Sequence, residues 1–422
     1  SAWFCAGATA ASDGAANGTV AIANAGKRTL TGSVTVIPTE GDTKAVIVSV
    51  PASGQATVRL TDVLAAPYAS AVVELDGGEA VVELSGTGTL GDTITPCASN
   101  AATSWYFAEG VTTKDATEVI SLFNPFPEDA VVDMVFTTEE GQVTPQALTG
   151  LSVRGRGLTA VNLGDHVQRR ESVATRITVR AGRLVASRLQ TFDGTGSRKG
   201  MALTLGAASP GDVWYFPQGF IAEGLNERFQ VFNPALDEAL VSVELSLEQG
   251  QAEPIELTIA PEARVTLSAN DEARIPKSVA HGAVVRSTNG VAVVVERTTD
   301  ATSPSARAGV AITLGARVPA LRSMVAAGLT DDSTDEWLVV QNPGNRPARV
   351  TVTLLDNGTP VTPPAMSNVN LPAHQQLTLH LNDLVRRGPT PLLITADERV
   401  VAERDQYRTR IGMAMSMAIP LR

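Results

Sequence analysis

Apolar and polar residues alternate in short runs along the whole chain. In the stretch that shows it best, the runs fall at 105–107, 118–123, 130–136, 147–153, 157–163, 174–179, 183–192 and 201–205. A period of two puts one side of an extended segment in a core and the other toward water, so these runs predict β-strands. Turn-forming pairs separate them, among them Asn124-Pro125, Glu140-Gly141, Ala181-Gly182 and Asp193-Gly194. Glycine and asparagine supply positive φ and proline a fixed φ, which tight reversals need. The one helical hint comes after a strand at Asp62, Asp165, Asp271 and Asp383. An aspartate there predicts the N-cap of a short helical turn crossing between sheets.

The strand pattern repeats. Trp105-Tyr106-Phe107 returns at Trp214-Tyr215-Phe216, and 214 − 105 is 109. Asn124-Pro125 returns at Asn233-Pro234 and Asn342-Pro343 with the same period, and Trp3-Phe4-Cys5 and Asn24 hold these places in a fainter first copy. Four modules follow, at 1–100, 101–210, 211–317 and 318–422. Seven or eight short strands in about 100 residues predict an all-β chain of four tandem immunoglobulin-like antiparallel β-sandwich modules. Each is long enough to fold alone, and the short linkers predict a semi-rigid rod or gentle arc.

Composition narrows the function. The formal net charge is −11, divided as −5, 0, −6 and 0 among the modules, and no module carries the basic excess that nucleic acid requires. Lysine is scarce, five against 28 arginines, as in proteins of GC-rich genomes. No apolar run approaches the roughly 20 residues that span a bilayer, so no membrane span is expected within this chain. The chain starts at Ser1 in a strand-like run, and the expectation is that any signal peptide or anchor has been removed from it. Two cysteines, Cys5 and Cys97, bracket the first module on its first and last strands, with Cys97 in register with Ala207 and Ala316. That register predicts a disulfide and hence an oxidising compartment outside the cytoplasm.

Motifs for chemistry are few. The run 86–91, Gly-Thr-Gly-Thr-Leu-Gly, matches the dinucleotide glycine pattern but continues into Thr93, Ile94 and Pro96, which read as strand, so a hairpin loop explains it. His166, His281, His374 and His380 lack metal-ligand spacing, and no nucleophile has a histidine partner in the repeat, so neither metal, cofactor nor catalytic residue is expected. Residues 331–336 place oxygen ligands at alternating positions as a calcium loop would. The matching loops lack that density, which favours a solvated acidic loop. Glu118, Glu227 and Glu336 recur at 109 and are read as structural. The aromatic tripeptides are read as packing residues at the start of each module rather than a sugar platform. Arg176, Arg180, Arg183 and Arg188 form the densest arginine group, and Arg176, Arg180 and Arg188 are the candidate binding residues for an acidic glycan or partner.

Trp105-Tyr106-Phe107-Ala108-Glu109-Gly110, Leu122-Phe123-Asn124-Pro125 and Val400-Val401-Ala402-Glu403-Arg404 together resemble a repeat of uncharacterised secreted actinobacterial proteins. Module one departs from it after the aromatic, and module four has Ser323-Met324-Val325 in place of the aromatics. The resemblance implies an extracytoplasmic module, in some members beside membrane glycosyltransferases of envelope synthesis, and assigns no functional residue. The expected function is a non-catalytic scaffold or binding protein of the cell envelope. Its partner would be an envelope protein, such as a membrane glycosyltransferase, or a cell-wall glycan. The alternatives are a carbohydrate-binding accessory of a glycosyltransferase system and a glycan hydrolase.

Overall fold

A computed structural model of the chain describes residues 1–247 and 252–421. Among them there is no α-helix, and the strands pair antiparallel apart from one parallel contact, Thr9 with Asn17. The stretch from 104 to 205 shows the plan. One sheet orders Gly141–Val143, Ala130–Thr138, Val173–Ala181 and Ser104–Phe107; the other orders Gly157–Asn162, Ala116–Asn124, Val185–Asp193 and Lys199–Leu205. Their inner faces meet in a core that includes Trp105, Phe107, Phe136 and Ile177 from one side and Ile120, Leu122, Val161 and Val185 from the other. The strand order is not that of an immunoglobulin domain, whose first strand lies beside its second. Here Ser104–Phe107 pairs with Val173–Ala181 instead. The same two-sheet plan recurs three more times, with Leu392–Arg408 long enough to run through both sheets of the last copy.

The asparagines of the repeat explain why the copies share a shape. Asn24, Asn124, Asn233 and Asn342 each donate through Nδ2 to the carbonyl four residues on and to a carbonyl of the facing hairpin. Each Oδ1 accepts from the backbone N–H two residues on. One buried amide thereby fixes two turns at once, which no apolar residue of that size could do.

The helical hint takes a different form. Leu60–Asp62, Leu163–Asp165, Ala269–Asp271 and Leu381–Asp383 are single 3₁₀ turns, with the aspartate last rather than at the N-cap. The turn is held by its first residue, buried in every case, and at Leu163 the cap is Asn162 accepting from Gly164.

The rod expected from the short linkers does not form. The last strand of each copy, Gly91–Pro96, Lys199–Leu205, Gly309–Leu314 and Gly412–Met417, packs against those of two other copies, in the cyclic order first, second, third, fourth, first. The four sandwiches therefore surround a common axis like the blades of a propeller. At one end of that axis Gly91, Gly309 and Gly412 meet so closely that a Cβ on Gly412 would stand 2.7 Å from the Gly91 Cα, and one on Gly309 2.8 Å from the Gly412 Cα. The cores merge as well. Leu189, Met201 and Leu203 of the second copy and Met324, Ala326 and Ala414 of the fourth belong to the cluster of the first. Independent folding of each copy, expected from length, conflicts with this sharing of core.

Candidate functional site

The axis is where side chains of different copies meet, and the register of the strands beside it identifies equivalent residues. Glu83 pairs with Pro96, Ser187 with Leu205, Glu296 with Leu314 and Glu403 with Met417. The next position holds Leu84, Arg188, Arg297 and Arg404. Each arginine crosses to the glutamate of the following copy: Arg188 to Glu296 at 2.9 Å, Arg297 to Glu403, and Arg404 to Glu83 at 2.6 Å. All six side chains are buried. The glutamates also accept main-chain N–H groups from the copy that sends the arginine: Glu296 those of Ala108 and Glu109 at 2.7 Å, and Glu83 those of Ala326 and Ala327 at 2.7 and 2.6 Å. Burying charges is favourable only when such bonds replace water, and here the main chain supplies them to the three glutamates and to Arg188 and Arg297. Burial works against the charge of Arg188, yet Glu296, Glu118 and Glu109 around it hold its proton more tightly than usual.

The junction of the first and second copies differs at both ends of the latch. Leu84 stands where the arginine would be and Ser187 where the glutamate would be; Leu84, Leu189, Met201 and Leu203 pack there, and Ser187 Oγ donates to Ala6 O at 2.8 Å. Neither a lone buried arginine nor a lone buried glutamate is left behind.

A second set of buried acids, Glu118, Glu227 and Glu336, lies behind the latches. Burial pushes Glu227 up, but His281 at 3.3 Å and Arg297 bring it below the ordinary glutamate value, and it accepts from Phe220 N at 3.0 Å. Glu336 accepts from Thr390 Oγ1 at 2.5 Å and stands 3.6 Å from Arg404, too far for a hydrogen bond; burial pushes it up to about 7. Among the described residues neither oxygen of Glu118 has a hydrogen-bond partner, and burial pushes it up to about 8 despite Arg188. A carboxyl of that kind is a neutral acid at pH 7.

The residues singled out from sequence fare unequally. Cys5 and Cys97 are joined, with Cα atoms 4.5 Å apart. The register places Cys97 at Gly206 and Gly315 rather than at Ala207 and Ala316, because Phe4 bridges to Ala98 as Tyr106 does to Ala207 and Tyr215 to Ala316. Arg176, Arg180 and Arg188 do not share a surface. Arg188 is interior, Arg176 reaches across to Glu262 at 3.1 Å and Pro234 O of the third copy, and only Arg180 is exposed, where it pairs with Asp133 at 2.5 Å. Arg183 covers the Phe126 ring at 4.3 Å. The acids of 331–336 face separate partners: Asp331 caps Ser333 and Thr334, Asp332 pairs with Arg387, Asp335 with His380, and Glu336 points inward. Trp105 and Trp214 are buried and donate to Leu184 O and Val293 O at 2.9 Å, so they offer no platform for a sugar. The run 86–91 is a strand and the start of its hairpin, with Gly88 opposite Gly91.

Beyond the latches the axis opens, at the end of the strands away from Gly91, into a cup of about 270 Å³. All four copies wall it, through Ile94, Leu205, Leu314, Met417 and Ile419 among others. No helix of the described residues is long and apolar enough to cross a membrane.

The model of a family of unknown function, DUF5719, matches residues 80–271 and again 212–419. No curated protein matches the sequence. Among solved structures, Thermotoga maritima 1070 is 21% identical over 26% of this chain and 95% of its own, with a TM-score of 0.24. The Anabaena sensory rhodopsin transducer is 20% identical over 21% of this chain and 88% of its own, with a TM-score of 0.19.

Proposed function

The chain belongs to the DUF5719 family of unknown function, which brings no activity with it, and we propose that it is a non-catalytic binding platform of an actinobacterial cell envelope. One observation carries this reading: the three buried arginines of the axis are consumed in holding the copies together, Arg188, Arg297 and Arg404 by Glu296, Glu403 and Glu83. Residues spent on rigidity leave a stiff body with several loop-bearing faces, which suits presentation and binding. The Cys5–Cys97 bridge supports an extracytoplasmic place, where such bonds persist. Candidate partners are a membrane glycosyltransferase or a wall glycan. Affinity capture from the producer's envelope, with proteins and glycans identified together, tests the reading. Saturable capture of one component, recovered chemically unchanged, supports it. Cleavage of a captured glycan replaces the platform with a hydrolase, and no saturable capture removes it.

A further inference from the structure

The glycine end of the axis is closed by four hairpins, one from each copy, and beside them lies a cavity of about 450 Å³. Lys199 of the second copy, Arg307 of the third and Arg410 of the fourth line it, together with the hydroxyls of Thr89, Ser303 and Ser305. Among the described residues, no acidic side chain lines it. Among the described residues, none of the three cations forms an ion pair, in a chain whose net charge is −11 and where most other buried or half-buried arginines are paired. Arg408, next along the fourth hairpin, is already taken by Asp92 at 2.6 Å. Arg307 is held in place rather than free: its guanidinium carbon lies 3.5 Å from the centroid of the buried Tyr407 ring. Arg307 thus lines the cavity with a fixed guanidinium, and among the described residues its N–H donors have no protein acceptor.

We propose that this cavity binds a phosphate dianion, either free or as a monoester on a sugar. Two guanidinium groups and an ammonium supply charge and forked donors, and the hydroxyls bond the remaining oxygens. Asp405, buried behind Arg307, feels its charge, yet burial and Glu403 push that carboxyl well above its ordinary value, and it forms no ion pair with the arginine among the described residues. The volume exceeds what a bare phosphate fills and leaves room for a sugar ring beside the hydroxyls. The inference deepens the platform reading and rests on it for the cellular setting, though its chemistry stands separately.

The test is calorimetric titration of the purified, oxidised protein with inorganic phosphate, glucose 1-phosphate and glucose at low salt. The expected result is saturable binding of both anions, weaker at higher salt, and none of glucose. Tighter binding of the sugar phosphate assigns the ester as source, and equal binding assigns the free anion. Arg307→Ala is expected to weaken binding about tenfold, in line with loss of a charge-assisted bond; Arg307→Lys should fall between, and the triple change Lys199→Ala, Arg307→Ala, Arg410→Ala should abolish it. Arg28→Ala, far away in the first copy and paired with Asp76, serves as the control and should change nothing. Absence of saturable binding at millimolar anion, or binding undiminished in a triple variant that melts like the parent, overturns the proposal. Failure here with successful envelope capture would remove the phosphate site and leave the platform standing.

Discussion

At the scale of single residues, one position shows three solutions to the same packing problem among the four copies. Phe107 and Phe216 lie against Gly206 and Gly315, where a Cβ would stand 2.8 and 2.7 Å from the ring carbons; Cys5 and Cys97 occupy the same two places and bond instead; the fourth copy uses Val325 with Ala418. Large with nothing, medium with small, or two sulfurs: the volumes compensate. Thiol titration of the unfolded, unreduced protein should accordingly find no free thiol. The double change Cys5→Ser and Cys97→Ser should cost about 4 kcal/mol in denaturant unfolding, as expected for releasing a loop of 92 residues. Cys5→Phe should destabilise less when Cys97→Gly accompanies it than alone. Glu118 gives a second prediction. Its folded value near 8 lies above its unfolded one, so the native state holds a proton the unfolded chain releases, and stability is lost as pH rises from about 4.5 to 8. Glu118→Gln should raise the melting temperature at pH 8 and have little such effect at pH 5. An equal gain at both would show that the acid is not protonated in the fold.

At the scale of elements, the strands and turns were legible because alternation and turn chemistry are local. The disulfide was legible because the repeat gave a register. Two features escaped for the same reason. The aspartates of the 3₁₀ turns read as N-caps because the buried leucine ahead of them, not the carboxylate, starts the turn. The arginines at 176, 180 and 188 read as one patch because neighbours in sequence need not share a sheet. Arg176 lies in Val173–Ala181 and Arg188 in Val185–Asp193, which belong to opposite sheets. A signal for the latches did exist, in the Glu-Arg pairs 296–297 and 403–404 aligned with Ser187-Arg188 and Glu83-Leu84. What it lacked was a reason to look between copies. Removing one partner, as in Glu403→Gln, should cost several kcal/mol, within the roughly 3–5 seen when a buried ion is orphaned. The paired change Arg297→Leu and Glu403→Ser copies the first junction of this chain and should recover much of that loss, as a double-mutant cycle in urea would measure.

At the scale of the whole molecule, closure about the axis could not be read from linker length, because a short linker fixes proximity and not direction. Shared cores make the ring the unit of stability. The second copy alone, residues 101–210, would present Leu189, Met201 and Leu203 to water. The full chain should therefore unfold in one transition by calorimetry and by fluorescence, and 101–210 by itself should aggregate or stay unfolded; separate transitions for separate copies would contradict the shared core. Closure also gives the four junctions unequal standing. Three are spanned by the chain, and the one between fourth and first copies is held without a covalent link, by Arg404–Glu83, Arg408–Asp92, Arg322–Glu79 and Gln55 to Ala326. If the protein is tethered at one terminus and its cargo pulls on the other, tension falls on that seam before any sandwich is stretched. The seam is a breakaway coupling: under such a load the ring would part there first, baring the core that the first and fourth copies share.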